Sequence, residues 1–156
     1  MKKEEGFTLF ELLVVIAITA LLIGLAVPAS KEINESLRRN GLKQQVESDV
    51  RYARSLALAN GTRAVIRLTN GGLSYEIGLD EPPYNDPPAP DKAVIKRELE
   101  SNFSLQFSDS IIFSSKGFSV DKDNDPTTIS LSFFFESEKF CEGNIYAAGF
   151  LVMNCS

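Results

Sequence analysis

The sequence predicts an α+β fold: one long N-terminal α-helix, half transmembrane and half amphipathic, packed on an antiparallel β-sheet head. Three observations predict it. Residues 7–27 are almost wholly apolar and carry one charge, Glu11. After Pro28 the apolar positions recur at spacings of three to five, the helical period. From Thr62 onward they recur at every second residue, with turn signals between the runs. The 156 residues allow one globular domain.

The apolar run comes first. At the helical rise its length covers about 30 Å, the thickness of a bilayer's hydrocarbon core. Lys2 and Lys3 precede it, so the positive-inside rule puts the N-terminus in the cytoplasm and the remainder outside. Three simple readings compete: a cleaved secretory signal with Val27-Pro28-Ala29 as a poor cleavage site, a plain membrane anchor, and a buried core helix. Glu11 argues against the first two, because a carboxylate inside a membrane helix costs about 2.5–3.5 kcal/mol. It needs a partner, and no basic residue stands between Lys3 and Lys31. A partner must come from another chain or from a new positive group created nearby. Pro28, which lacks an N–H, predicts a bend where the helix leaves the bilayer.

The amphipathic half follows. Ile33, Leu37, Leu42, Val46, Val50, Ala53 and Ala57 form its apolar stripe, and Asn60-Gly61 is a helix stop. The strands come next. Residues 65–68 and 73–79 flank Asn70-Gly71-Gly72, a hairpin signal. Further strands are predicted at 93–95, 103–107 and 111–113. The alternation of Ile129, Leu131, Phe133 and Phe135 marks another, and the last two fall at 144–147 and 150–153. The domain plan is therefore a leader at 1–6, a membrane helix at 7–28, an amphipathic helix at 29–61 and a β-rich extracytoplasmic head at 62–156, one globular unit with 29–61.

Composition excludes several functions. There is no His, which removes His-based nucleophile activation and most zinc and haem sites, and no residue spacing points to an enzyme. The net charge of -5 argues against a general nucleic-acid coat. Residues 31–67 hold eight basic and four acidic side chains, whereas 68–156 hold six and fourteen. The basic stretch reads as pairing along the helix or with acidic neighbours.

Two head features carry chemistry. Asp121, Asp123 and Asp125 alternate as at the start of many calcium loops. Pro126 replaces the usual glycine and Ser132 stands at the twelfth position, so an EF-hand is excluded, leaving a solvated acidic turn or a loose calcium site. Cys141 and Cys155 both lie in the extracytoplasmic part, where an even count favours one bridge over two buried thiols. Residues 81–90 hold five prolines and read as an exposed stiff loop, or as a subunit contact anchored by Tyr84.

The N-terminal motif Gly6-Phe7-Thr8-Leu9-Phe10-Glu11-Leu12-Leu13-Val14-Val15-Ile16-Ala17-Ile18 resembles the class III signal of type IV pilins and type II secretion pseudopilins. The resemblance implies a prepilin peptidase cutting between Gly6 and Phe7, and N-methylation of Phe7. It implies that Glu11 pairs with the terminal amine of a neighbouring subunit, and that the stretch around Pro28 kinks or melts during packing. Its partners would be other pilins or pseudopilins, the peptidase, an inner-membrane assembly platform and membrane lipid. The protein would be a single-pass protein of the bacterial inner membrane with a periplasmic head, passing into a pilus-like filament.

The order of elements also resembles the GspH/FimT group of minor pseudopilins. Residues 48–61 look like that group's Ala/Arg-rich helix end, and Phe113-Ser114-Ser115-Lys116-Gly117-Phe118 like its glycine turn. DNA-uptake members carry Gly-Arg-x-Arg near the C-terminus. Here Gly149-Phe150-Leu151-Val152 has no arginine, which argues against nucleic acid as a partner. The function so implied is a minor subunit of a type II secretion-like pseudopilus, without a required cofactor. The alternatives are a minor type IV pilin for pilus biogenesis or DNA uptake and, from another class, a membrane-tethered monomeric binding module.

Overall fold

The computed structural model describes residues 8–155, without the side chains of residues 24–30. Among the described residues there is one α-helix, α1 (Leu9–Asn60), followed by strands and turns, one of them a short 3-10 turn at Asn70–Gly72. The chain divides into two compact units between Leu42 and Lys43, and α1 contributes to both. Among the described residues of the first unit α1 is the sole element, and its described apolar side chains, from Leu9 to Ile23 and again at Ile33 and Leu37, are exposed. Among the described residues no helix is long and apolar enough to cross a membrane. The span expected over 7–28 includes residue 7 and side chains that lie outside the described residues, as does the side chain of Pro28.

In the second unit the predicted stripe is the buried face. Val46, Val50, Ala53 and Ala57 are excluded from solvent at a spacing of three or four residues. The helix ends as Asn60-Gly61 predicts. Gly61 takes a φ of 66° and its N–H donates to the Ala57 carbonyl at 3.0 Å, a left-handed stop that glycine adopts without a Cβ clash.

The strands form two antiparallel sheets rather than one. They are β1 (Arg63–Thr69), β2 (Ser74–Asp80), β3 (Lys92–Glu98), β4 (Phe103–Phe107), β5 (Ile111–Phe113), β6 (Ser119–Val120), β7 (Ile129–Phe135), β8 (Glu138–Ile145) and β9 (Leu151–Cys155). Sheet A runs β3-β2-β1-β5-β6 and sheet B runs β4-β7-β8-β9. The β1–β2 hairpin turns through Asn70–Gly72, as predicted. In β7 the predicted alternation is the buried pattern, with Ile129, Leu131, Phe133 and Phe135 inside. Phe103, Phe133, Phe135 and Phe140 cluster in sheet B, with ring centroids 5.0 to 6.2 Å apart.

Two elements differ from the sequence reading. The strand expected at 144–147 begins earlier and ends sooner, at Glu138–Ile145, and the short β6 was not foreseen. A register shift between Phe133 and Phe134 moves the β8 pairing and breaks its alternation.

Candidate functional site

The first turn of α1 surrounds the carboxylate on which the sequence reading turns. Thr8 immediately precedes the helix, and its hydroxyl oxygen accepts the Glu11 N–H at 3.2 Å. In return Glu11 Oε2 accepts the Thr8 N–H at 3.2 Å and its hydroxyl at 3.3 Å. This is a capping box: each side chain satisfies a backbone N–H that the helix start leaves unpaired. The positive end of the helix dipole also favours an anion in this turn. Glu11 therefore has neutral partners within its own chain, which the placement of basic residues in the sequence does not reveal. The signal was present as Thr8-x-x-Glu11. Gly6 and Phe7, the expected cleavage pair, lie outside the described residues.

The head carries three polar clamps. In the first, Asp49 of α1 is only 4% exposed. It accepts the Tyr75 hydroxyl at 2.7 Å, Arg97 Nε at 3.0 Å and Arg97 Nη2 at 3.3 Å, which fastens the helix to β2 and β3. Burial, and then the hydrogen bond to Asp49, push the Tyr75 hydroxyl well above its ordinary range. The bond to Asp49 in turn raises Arg97.

In the second clamp, Arg63 of β1 is buried and pairs with buried Asp80 of β2 at 2.5 Å. Its Nη1 donates to the Lys122 carbonyl at 3.0 Å, and the Tyr84 ring lies over the guanidinium at 3.8 Å from its centroid. Tyr84, weighed above as a contact for a neighbour, stacks on its own head. Asp80 also accepts the Asn85 N–H at 3.0 Å, and Asn85 Nδ2 donates to the Ala89 carbonyl and to Asp91 at 3.0 Å. The proline-rich loop is thus folded over the Arg63–Asp80 pair. Asp91 accepts the Glu81 N–H and then the Asn85 amide, and both hold its carboxyl below the usual range.

In the third, Arg54 of α1 reaches two glycine turns. Its Nε donates to the Gly117 carbonyl at 2.9 Å and its Nη2 to the Ala148 carbonyl at 3.2 Å. Gly149 has a φ of 79°, and a Cβ there would collide with the Gly117 carbonyl. The helix end, the glycine turn and Gly149, singled out separately in the sequence, meet here.

The remaining residues fall as follows. Cys141 and Cys155, 14 positions apart in sequence, are bonded across β8 and β9, with Cα atoms 4.1 Å apart. Asp121 closes its own turn: its Oδ1 accepts the N–H groups of Asp123 and Asp125, both at 2.9 Å. Among the described residues no group of three or more acidic, His or Cys side chains is arranged to hold a metal. Of the basic residues, Arg39 and Arg51 pair along the helix with Glu35 and Glu47, while Arg67 pairs across the sheet with Glu76.

Residues 1–27 match the family described as the prokaryotic N-terminal methylation motif. Two fimbrial proteins of Pseudomonas aeruginosa are each 31% identical to the chain over 81 residues, 52% of this chain and 52% of theirs. The chain thus spans about half the length of the curated relatives it matches. The crystal structure of the type IV minor pilin FimU from Pseudomonas aeruginosa PAO1 superposes with a TM-score of 0.58 at 15% identity, covering 74% of this chain and 90% of that one. The minor pseudopilin EpsH of the Vibrio cholerae type 2 secretion system superposes at 0.51 and 15% identity, covering 72% and 92%. The fold is therefore that of a minor pilin or pseudopilin. The N-terminal motif, the fimbrial relatives and the fold are thus each similar to what type IV pilins and pseudopilins carry.

Proposed function

We propose that the chain is a non-enzymatic minor subunit of a pilus-like fibre, held in the inner membrane by the N-terminal part of α1 and drawn into the fibre through it. The observation that carries this reading is the pairing of a methylation motif at 1–27 with a described apolar helix face that stays bare in the single chain. Bare apolar surface of this extent finds cover in lipid or in like helices. Cleavage between Gly6 and Phe7 frees an amine one helical turn from Glu11, and a neighbour's amine then competes with Thr8 for that carboxylate. The cation adds a charge-assisted bond where Thr8 offers neutral ones. The prepilin peptidase and the assembly platform are the partners this sequence of events requires.

Within that class the first reading is a type II secretion pseudopilus, and the likeness to EpsH supports it. A minor type IV pilin is the second, supported by the fimbrial relatives and the likeness to FimU. Deleting the gene and scoring exoprotein release, twitching and DNA uptake side by side separates them. Loss of secretion alone supports the first reading, and loss of twitching or uptake alone the second. Mass spectrometry of the membrane-extracted protein checks the processing step. The expected mature chain starts at a methylated Phe7, and a chain starting at Met1 or after Ala29 contradicts it.

A further inference from the structure

An asparagine followed by glycine carries its own reaction partner. The glycine nitrogen, once water or hydroxide has taken its proton, attacks the asparagine side-chain carbonyl, because no Cβ on the next residue blocks the approach. A bond forms between that nitrogen and the asparagine Cγ, the Cγ–Nδ2 bond breaks, and ammonia leaves, taking a proton back. Water then opens the five-membered imide. Opening at Cγ leaves aspartate. Opening at the main-chain carbonyl leaves isoaspartate, which adds one carbon to the main-chain path.

Three such pairs stand in this chain, Asn40-Gly41, Asn60-Gly61 and Asn70-Gly71, and the fold treats them differently. Asn40-Gly41 lies inside α1, where backbone N–H groups are spent on carbonyls four residues back. At the helix end both reacting groups are held: Asn60 Nδ2 donates to the Leu56 carbonyl at 2.8 Å, and the Gly61 N–H to the Ala57 carbonyl at 3.0 Å. Asn70-Gly71 is exposed at the tip of the β1–β2 hairpin. The bond that closes this turn is donated by the Leu73 N–H to the Asn70 carbonyl at 3.2 Å. Among the described residues the Asn70 side chain makes no hydrogen bond, and outside the turn the Gly71 N–H donates to no backbone carbonyl. A Cβ at Gly71 would meet nothing within 4 Å, so water has open access to the reacting atoms.

We propose that Asn70 is a modification site, deamidating spontaneously through the Gly71 nitrogen to aspartate and isoaspartate while Asn40 and Asn60 are spared. The turn it alters lies where the hairpin of sheet A rests on β4, the edge strand of sheet B. Gly72 is buried with a φ of 89°, and a Cβ there would collide with the Leu105 carbonyl of β4. The extra main-chain carbon of isoaspartate at position 70 finds no slack at Gly72. It disturbs the Leu73–Asn70 bond and the contact of the Thr69 and Ser74 hydroxyls at 2.8 Å, and it lifts the hairpin tip from β4. Aspartate at position 70 keeps the original chain path and adds only a charge at an exposed site. The modification touches neither Glu11 nor the apolar arm, so its failure leaves the assembly reading standing.

Peptide mapping by mass spectrometry tests this on the full chain in detergent, aged in mildly alkaline buffer. Each Asn-Gly site gains one mass unit on conversion, and its rate is divided by the rate at the same site in the urea-unfolded chain. That ratio should be about tenfold or more higher at Asn70 than at Asn40 and Asn60, whose bonded groups react only after local opening. The isoaspartate form, recognised by its labelling with an isoaspartyl methyltransferase, should show faster hydrogen exchange at Leu73 and along β4. Freshly prepared Asn70→Asp should exchange like the unaltered chain, and Asn70→Gln should keep slow exchange through the same ageing. A ratio at Asn70 no higher than at either helical site overturns the proposal. So does isoaspartate at Asn70 with unchanged exchange along β4.

Discussion

One helix meets two different demands in this molecule. From Leu9 to Ile23 the described side chains are exposed and, apart from Glu11 and Thr19, apolar or small, and the single charge, Glu11, is answered by Thr8 in the same turn. From Val46 to Ala57 the buried apolar positions, Val46, Val50, Ala53 and Ala57, are small and share one face, and polar residues beside them reach out to the sheets. Asp49 holds Tyr75 and Arg97, and Arg54 holds Gly117 and Ala148. The contrast separates surface completed inside the chain from surface that is not. The later stretch is satisfied by its own head. The earlier one satisfies only its carboxylate, through bonds weak enough for a charged partner to replace.

That contrast can be broken from either side, and the largest effects belong to the head. Asp49→Ala leaves the Tyr75 hydroxyl and Arg97 without their acceptor and should cost the head about 3 kcal/mol, read as a lowered urea midpoint. Replacing Cys141 and Cys155 together by Ser should cost about 3 kcal/mol, the entropy of closing a short loop, and should loosen β9 first in hydrogen exchange.

A pH test follows from Tyr75, whose folded-state pKa lies above its unfolded value of 10.0. Its stabilising contribution is complete below pH 10.0 and is lost as pH rises towards the folded value. Tyr75→Phe should flatten that alkaline decline while lowering stability at neutral pH. The smallest effect is at the start of the arm. Thr8→Ala removes the cap and should cost about 1 kcal/mol of local helix stability, seen as faster exchange at Leu12 and not in the head's melting.

The pattern of residues revealed much of this and concealed a definable part. The stripe through Val46, Val50, Ala53 and Ala57 and the stop at Gly61 were legible because helical period and glycine geometry are local. The same holds for the turn at Asn70-Gly71-Gly72 and the alternation in β7. Two sheets were harder to foresee than one, since β6 has two residues and no period, and β8 carries Glu138, Lys139 and Glu142 beside a register shift. The clamps were illegible because their partners lie far apart in sequence: Asp49 and Arg97 are separated by 48 positions, Arg63 and Asp80 by 17. Of the candidate site residues, the cysteines meet as expected and Glu11 gains a local partner. Asp121 spends its carboxylate on its own turn.

The most direct test of the account is the recovery of Glu11→Ala in sheared fibres relative to the unaltered chain, normalised to the amount in the membrane. Incorporation should fall at least tenfold while the head keeps its melting temperature and the chain keeps its membrane level. Equal recovery in the fibres would contradict the claim that the arm and its one carboxylate drive assembly.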